Sequence, residues 1–259
     1  MPAKPRYTTL LLDLDGTVYA GHAEVPGAGD FVRRCAAAGI RSLFVTNRSN
    51  RTREAVVDQL RAYGIPCEVE DIVTTAIATA RYLGSGSAYV IGEHGLETAL
   101  REQGIRLTDE APDAVVVSID RAFTYDKLKT ACGLIGGGAR FVATNTDAFL
   151  KIEDGIVPGS GSIVAAVRTG SGREPVVVGK PETLLYDMAL AICGAKRAET
   201  LVVGDNLATD IGAAVKAGLD SALLLTGVSS RKDLVSGAPA PTYVAEDYAA
   251  LAAIVFPAA

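Results

Sequence analysis

The sequence predicts an α/β protein with a Rossmann-like parallel-sheet core and a second, smaller α/β cap domain inserted into it. Strand-like and helix-like segments alternate along almost the whole chain of 259 residues. The strand candidates are nearly continuous apolar runs, which is typical of a parallel sheet that is covered on both faces. One sheet holding every candidate strand would be large for this length, so the middle of the chain is interpreted as an insertion.

The core elements lie in the two end portions of the chain. Each strand candidate is a short aliphatic or β-branched run, and the first two helix candidates end at a glycine. The predicted core strands are 10–14, 41–46, 176–178, 201–203 and 222–225. The predicted core helices are 28–38, 53–63, 183–192 and 210–217.

The middle portion has the same alternation of elements and is long enough for a small core of its own. Its predicted strands are 88–91, 114–119 and 140–143, and its predicted helices are 96–103 and 125–135. The resulting division is core 1–79, inserted cap domain 80–175 and core 176–259. Ligands of such sheets bind at the carboxyl ends of the strands, so the chemistry is expected there.

Composition excludes several classes of function. The chain has 25 Lys and Arg against 30 Asp and Glu, a formal net charge of −5, which argues against a nucleic-acid or anionic-membrane partner. Its four cysteines are scattered without a Cys-x-x-Cys pair, so neither a zinc site nor a thioredoxin-like redox motif is expected. No apolar run approaches the roughly 20 residues of a membrane span, and no secretory leader is expected. A reduced, cytoplasmic protein is the expectation.

Two carboxylates end the first predicted strand. Asp13 and Asp15 follow an apolar run and lie two residues apart, so they share a face of the strand. Gly16 can adopt a backbone conformation that frees the preceding carbonyl. This arrangement supplies a nucleophile, a proton carrier and oxygen ligands for Mg²⁺, and it indicates phosphoryl chemistry. A solvated acidic turn is the alternative, while the spacing fails the EF-hand pattern.

Three other strand ends carry polar groups. Thr46 and Asn47 follow the second strand and can bind phosphate oxygens, although taken alone a plain turn with Ser49 or Asn50 capping the next helix explains this segment better. Lys180 can neutralise phosphate charge or can be a solvated lysine. Asp205 and Asp210 suit a metal with oxygen ligands, and Asp210 also suits the N-cap of the following helix.

These motifs together resemble those of the haloacid dehalogenase superfamily, in the branch of NagD-like and p-nitrophenyl phosphatases with a large α/β cap. The four motifs are Asp13-Leu14-Asp15-Gly16-Thr17, Thr46-Asn47, Lys180, and Gly204-Asp205-Asn206 with Asp210. Further similar segments are Thr46-Asn47-Arg48-Ser49, Tyr89-Val90-Ile91-Gly92, Ala143-Thr144-Asn145-Thr146-Asp147, Pro158-Gly159-Ser160-Gly161-Ser162 and Val178-Gly179-Lys180-Pro181. Many members of the branch have asparagine where this chain has Arg48, and proline where it has Thr146. The resemblance places both positions near the substrate, so these departures bear on which substrate is bound.

The resemblance implies a Mg²⁺-dependent phosphate monoester hydrolase that works through an aspartyl-phosphate. Asp13 would be the nucleophile and Asp15 the general acid and base. Mg²⁺ would be held by Asp13, the backbone carbonyl of Asp15, and Asp205. The remaining implied residues are Thr46, Asn47 and Lys180 at the phosphate, Thr17, Asn206 and Asp210 in support of the site, and Asn145 and Asp147 at the substrate.

The substrate class implied is a small phosphorylated metabolite, such as a sugar phosphate or nucleotide, and the resemblance allows a homodimer formed through the cap. A phosphotransferase or phosphomutase with the same aspartyl-phosphate stays open as an alternative. So does a receiver-like phosphoacceptor without catalytic turnover, although the late positions of Lys180 and Asp205 disfavour it.

Overall fold

The computed structural model describes residues 6–152 and 155–257. The strands are β1 (Thr9–Leu12), β2 (Tyr19–Ala20), β3 (Ala23–Glu24), β4 (Arg41–Thr46), β5 (Ile72–Thr74), β6 (Ser87–Ile91), β7 (Arg106–Leu107), β8 (Ala114–Val117), β9 (Arg140–Ala143), β10 (Phe149–Ile152), β11 (Gly155–Pro158), β12 (Val176–Val177), β13 (Thr200–Gly204), β14 (Asp220–Leu224) and β15 (Tyr243–Ala245). The α-helices are α1 (Ala28–Ala37), α2 (Arg53–Ala62), α3 (Thr75–Leu83), α4 (His94–Glu102), α5 (Tyr125–Gly136), α6 (Ser160–Ser171), α7 (Leu184–Cys193), α8 (Gly212–Ala217) and α9 (Tyr248–Val255). Among the described residues, every helix is too short or too polar to cross a lipid bilayer.

The chain forms two compact units, which confirms the predicted fold class of a parallel-sheet core with a second, smaller α/β unit inserted. The first unit is drawn from Met1–Thr46, Val56–Val73 and Lys180–Ala259. The second is drawn from Asn47–Ala55 and Thr74–Gly179.

The core sheet has six strands in the order β15-β14-β13-β1-β4-β5. The central strand β1 pairs in parallel with β13 and with β4, and Leu12 lies beside Val203 and Phe44. Every residue of β1 is buried, so helices and loops cover both faces of the sheet. This register brings the carboxyl ends of β1, β4 and β13 to one edge, where the segments that begin at residues 13, 47 and 205 leave the sheet.

The second unit contains a five-stranded parallel sheet in the order β12-β9-β8-β6-β7 and a separate antiparallel hairpin, β10-β11. Its apolar core joins the strands to α5 and α6. The core includes Val115, Val117, Phe141, Val164 and Val167. The unit therefore has a hydrophobic core of its own, distinct from the one that supports β1.

One predicted strand lies in a different place from the prediction. The run 176–178 was predicted as a buried strand of the core sheet, but β12 pairs with β9 in the second sheet. It is an edge strand, and Val176 is 47% exposed. An edge strand is covered incompletely, so an apolar run is compatible with either position and does not identify its sheet.

Candidate active site

The first strand delivers Asp13 to the carboxyl edge of the core sheet. Asp13 follows β1 directly, and its amide donates a hydrogen bond of 2.9 Å to the carbonyl of Val203 in β13. The chain then turns at Gly16, whose φ of +88° favours glycine. The Gly16 amide donates to the carbonyl of Tyr19 at 2.7 Å, which closes this turn. The turn holds Asp13 in a fixed and nearly buried position.

Lys180 is the cation of the site and is only 2% exposed. Its Nζ donates to Asp13 Oδ1 at 2.5 Å, to Asp210 Oδ1 at 2.6 Å and to the carbonyl of Val45 at 3.0 Å. Three acceptors therefore satisfy the three donors of the ammonium. The structure answers the question that the sequence left open, because Lys180 is a buried bridge between two carboxylates and not a solvated lysine.

Three aspartates converge around this lysine. One carboxylate oxygen each from Asp13, Asp205 and Asp210 lie within 4.8 Å of one another, and all three residues are buried. With every carboxylate ionised, the cluster carries −3 from the aspartates and +1 from Lys180, which leaves −2. A set of oxygen donors with this excess charge suits a hard divalent cation.

Burial and mutual repulsion shift the pKa values of these groups. Burial raises the pKa of Asp13 well above its ordinary range, which Lys180 offsets only in part. Burial and the neighbouring Asp210 carboxylate raise the pKa of Asp205 to about 7. Burial by itself lowers the pKa of Lys180, but Asp13 and Asp210 raise it well above its ordinary value. The site is therefore short of positive charge, and a bound cation favours the ionised carboxylates.

Asp205 is held by backbone groups of the loop that follows β14. The amide of Val228 donates to Asp205 Oδ2 at 2.5 Å, and the amide of Ser229 donates to the Asp205 carbonyl at 3.0 Å. Thr17 is fully buried, and its Oγ1 lies 3.4 Å from Asp205 Oδ1. The strand-end motifs of the sequence did not predict this loop. The feature that could have predicted it is a fourth core strand, 222–225, which is followed by Thr226-Gly227-Val228 at the same edge of the sheet.

The helix after Asp205 begins differently from the prediction. It was predicted over 210–217 with Asp210 as one candidate N-cap, but a π-helical turn, Leu207–Ile211, precedes α8. Asn206 is the N-cap residue of this turn, since its Oδ1 accepts from the amides of Ala208 and Thr209 at 2.9 and 3.4 Å. The Asp210 side chain is thereby released to point inward, where it accepts from Lys180 and, through Oδ2, from the Asn206 amide at 3.1 Å.

Two further predicted residues, Asp15 and Thr46, belong to the first unit, which also contains Asp13 and Lys180. Asp15 is half-buried, two residues after Asp13, and forms an isolated backbone bridge with Tyr19. Thr46 is the last residue of β4 and is only 1% exposed. Both lie at the strand ends that the sequence predicted, and their chemical roles stay predictions.

The other predicted residues, Asn47, Asn145 and Asp147, lie together in the second unit. Asn47 Nδ2 donates to both carboxylate oxygens of Asp147, at 3.3 and 3.1 Å. Asn145 is buried, and its Nδ2 donates to the Asn47 carbonyl at 2.8 Å. Its Oδ1 accepts from the Asp147 amide at 3.1 Å. The three side chains form one polar network.

The packing around Asp205 gives a first prediction. A Cβ on Gly227 would overlap the Asp205 carboxylate and would lie 2.8 Å from Asp205 Cβ. Gly227→Ala therefore forces Asp205 to move, at about 1–3 kcal/mol for overpacking. We expect weaker Mg²⁺ binding, measured as a higher Mg²⁺ concentration for half-maximal activity. Gly133→Ala is the control, because a Cβ there would meet no atom of the described residues within 4 Å beyond its chain neighbours and the backbone of its own helix. An unchanged Mg²⁺ requirement in Gly227→Ala would contradict the prediction that Asp205 binds the metal.

Comparison with known proteins places this geometry in a family. A family model described as haloacid dehalogenase-like hydrolase matches residues 10–106, and a second model of the same type matches residues 177–251. The chain is 42% identical over 241 residues to the 5'-nucleotidase YutF of Bacillus subtilis, covering 92% of this chain and 94% of that protein. The chain belongs to the haloacid dehalogenase-like hydrolase family. It is 38% identical over 246 residues to the acid sugar phosphatase of Staphylococcus epidermidis RP62A, covering 93% and 95%.

Solved structures of this family agree with the whole fold. The 4-nitrophenylphosphatase of Thermotoga maritima matches with a TM-score of 0.91 at 31% identity, over 96% of this chain and 98% of that one. NagD of E. coli matches with a TM-score of 0.88 at 34% identity, over 94% and 97%. The glycerol phosphate phosphatase of Mycobacterium tuberculosis in complex with magnesium matches with a TM-score of 0.87 at 36% identity, over 95% and 76%. The predicted resemblance to NagD-like phosphatases is confirmed, and the chain is a haloacid dehalogenase-type phosphatase.

Proposed function

We propose that this protein is a Mg²⁺-dependent phosphate monoester hydrolase that acts on a small phosphorylated metabolite through an aspartyl-phosphate on Asp13. The observation that carries the proposal is the buried cluster in which Lys180 bridges Asp13 and Asp210 beside Asp205. Such a cluster combines a fixed nucleophile with excess negative charge that favours a divalent cation, and the cation in turn would offset the repulsion of a phosphate dianion. The relatives named as nucleotidase and sugar phosphatase support the substrate class.

The residues present fit Mg²⁺. The donors are carboxylate oxygens, which Mg²⁺ prefers, and the cluster lacks two positive charges for neutrality. Asp13, the backbone carbonyl of Asp15, and Asp205 would hold the ion, while Asp210 holds Lys180 in place. When bound, the ion screens the repulsion between the Asp13 carboxylate and the phosphate oxygens. The magnesium complex of the Mycobacterium tuberculosis relative supports this choice of metal.

In the first step, Asp13 attacks the phosphorus of the ester. A bond forms between its carboxylate oxygen and phosphorus, and the ester P–O bond breaks. Asp15, in its protonated form, gives its proton to the departing alkoxide, which leaves as an alcohol. Lys180 lies 2.5 Å from Asp13 Oδ1 and orients the nucleophile before the reaction begins.

In the second step, water attacks phosphorus and the bond between phosphorus and the Asp13 oxygen breaks. Asp15, now a carboxylate, accepts a proton from that water, so both aspartates return to their starting forms. Division of the displacement into two steps is the advantage of covalent catalysis. Thr46, the Asn47 amide and Lys180 stabilise the charge on the equatorial phosphate oxygens, and Thr17 and Asn206 support Asp205 and its loop.

The second unit is proposed to contribute substrate selection. Asp147 is half-buried, and its carboxylate can accept hydrogen bonds from substrate hydroxyls in addition to those from Asn47. The amide of Asn145 is engaged with Asn47 and Asp147, so Asn145 would act on the substrate through these two neighbours. Hydroxyl-rich metabolites such as sugar phosphates and nucleotides match this set of acceptors.

The experiment that tests the function is a phosphate-release screen over sugar phosphates, nucleoside monophosphates, glycerol phosphate and p-nitrophenyl phosphate. We expect multiple turnover for at least one of them with Mg²⁺, and loss of activity when EDTA removes the metal. Restoration by added Mg²⁺ is the control against damage by the chelator. Phosphate release that is unaffected by EDTA would reject the metal dependence, and transfer without release would favour a phosphotransferase.

Asp15→Asn tests the acid–base step. The substitution removes the proton carrier and keeps the shape, and we expect a loss of about 10²–10⁴-fold in turnover. With p-nitrophenyl phosphate the first step needs little proton donation, so the second step should suffer more and phosphoenzyme should accumulate. We therefore expect the release of nitrophenol to show a burst followed by slow turnover. A variant with wild-type turnover would remove Asp15 from this role.

A further inference from the structure

The carboxyl edge of the second sheet carries a chain of buried hydroxyls that reaches the loop after β4. Ser118 follows β8 and Thr144 follows β9, and both are fully buried. Thr144 Oγ1 donates to Ser118 Oγ at 2.8 Å, and the Ser118 and Ser49 hydroxyls form a further, short hydrogen bond. Ser49 is itself 1% exposed, so no competing water surrounds this connection.

Other residues of the same loop also bind the rest of the second unit, to which the loop belongs. The Asn47 carbonyl accepts from Thr75 Oγ1 at 2.7 Å as well as from Asn145. Asn50 Nδ2 donates to Glu93 Oε2 at 3.3 Å, and the Asn50 carbonyl accepts from the Gly95 amide at 3.3 Å. These bonds hold the residues on either side of Ser49, and the hydrogen bond to Ser118 holds the middle of the loop.

The loop binds the second sheet at the carboxyl ends of β6 and β8. Open α/β sheets bind their ligands at the carboxyl ends of strands, where the strand order reverses. In the second sheet the chain passes from β6 to β7 on one side and returns to β8 on the other. Glu93 follows β6 and Ser118 follows β8, and both bind residues of the loop. The loop therefore occupies the position that such a sheet ordinarily offers to a ligand.

We infer that Ser118 and Thr144 are positioning residues for phosphate binding, because they hold Ser49 and through it the Thr46–Asn47 segment. The inference rests on the proposed function, in which Thr46 and the Asn47 amide bind the phosphate. Asn47 follows Thr46 by one peptide bond and precedes Ser49 by two residues, so displacement of Ser49 reorients the Asn47 amide. Donors that are fixed before the substrate arrives stabilise charge without a reorganisation cost.

The test measures phosphate affinity in Ser118→Ala and Ser49→Ala. Each variant loses the same hydrogen bond, and we expect kcat/KM to fall by about tenfold to a hundredfold, the size typical of a displaced catalytic group. The inhibition constant of inorganic phosphate should rise in parallel, while the Mg²⁺ concentration for half-maximal activity stays unchanged. Ser118→Ala also removes the acceptor of Thr144, so the double variant should be no worse than Ser118→Ala alone, since the bond between Ser49 and Ser118 can be lost only once.

Ser87→Ala is the matched control. Ser87 is a buried serine at the amino end of β6, and its hydroxyl donates to Asp113 Oδ2 at 2.7 Å. It has the same substitution in the same sheet but at the opposite edge, so its loss should lower stability and leave phosphate inhibition unchanged. Thr144→Val and Thr144→Ser form a second pair, in which Val removes the hydroxyl and Ser keeps it. The serine variant should retain phosphate affinity and the valine variant should lose it.

Three outcomes are distinct. Weaker phosphate inhibition in Ser118→Ala and Thr144→Val, with Ser87→Ala and Thr144→Ser unaffected, supports the inference. If Ser118→Ala fails to fold, the Ser49 and Thr144 variants give the same comparison. Unchanged phosphate inhibition in all of them, with an active wild type, overturns the inference and leaves the proposed function intact. A wild type that neither releases nor binds phosphate overturns both.

Discussion

Asp13→Asn is expected to abolish turnover while the fold stays intact. The amide nitrogen and carbonyl of asparagine cannot attack phosphorus, and loss of a covalent nucleophile costs about 10⁴-fold or more. The side chain is nearly isosteric, and its carbonyl oxygen can still accept the hydrogen bond that Lys180 donates to Oδ1. Phosphate release from the substrate identified in the screen measures the loss, and the thermal unfolding midpoint reports the fold.

Asp220→Asn is the matched control for this variant. Asp220 is also a carboxylate of the core unit, but it is the first residue of β14, at the amino edge of the sheet. It accepts from Arg6 and from the Tyr7 hydroxyl, at 2.9 and 2.7 Å, and so it can affect only stability. Wild-type turnover in Asp13→Asn, or an equal loss in Asp220→Asn, would show that Asp13 is not the nucleophile.

Lys180→Met is expected to lower stability far more than the substitution of an exposed lysine. Removal of one partner from a buried ion pair leaves uncompensated charge and typically costs about 3–5 kcal/mol. Here a single ammonium is shared by Asp13 and Asp210, at 2.5 and 2.6 Å, so two carboxylates lose their partner at once. Urea unfolding should show a lower midpoint with an unchanged slope, and catalytic activity should be lost with it.

Lys216→Met separates this effect from the general loss of a lysine. Lys216 pairs with Glu182 at 2.8 Å, but both side chains are about half exposed. Exposed pairs contribute about 0–1 kcal/mol, so this variant should unfold at nearly the wild-type urea concentration. Mg²⁺ should restore part of the stability of Lys180→Met, because it supplies positive charge to the same cluster. Equal stability of the two variants would mean that Lys180 does not neutralise the buried aspartates.

Much of the secondary structure could be predicted because its signals are local. The run 41–46 forms β4 and the run 140–143 forms β9 with the predicted bounds, since short apolar strands are recognisable from their own residues. The strand β5 and the helix α3 were not predicted. β5 lies in the segment Ile72-Val73-Thr74-Thr75, which has only two apolar residues before two threonines. Its pairing with β4 makes this segment a strand.

The strand-end rule also predicted where the candidate residues would meet, since polar residues that directly follow buried parallel strands lie at the carboxyl edge of the sheet. Asp13 and Asp205 come together because β1 and β13 are neighbours in parallel register. The amides of Val228 and Ser229 that hold Asp205 were not predicted. Every residue except proline has a backbone N–H, so an amide donor has no signature in the residue type.

Residue order was enough to predict the α/β class and the family, and it nominated the acids and the lysine as candidates, because apolar periodicity and strand-end motifs are properties of short segments. Three-dimensional packing was needed to show that Lys180 is buried between Asp13 and Asp210. It was needed also to place 176–177 in the second sheet and to attach Ser49 to Ser118. These features depend on contacts between residues far apart in the chain. A local pattern does not show which distant residues will pack over a side chain and bury it.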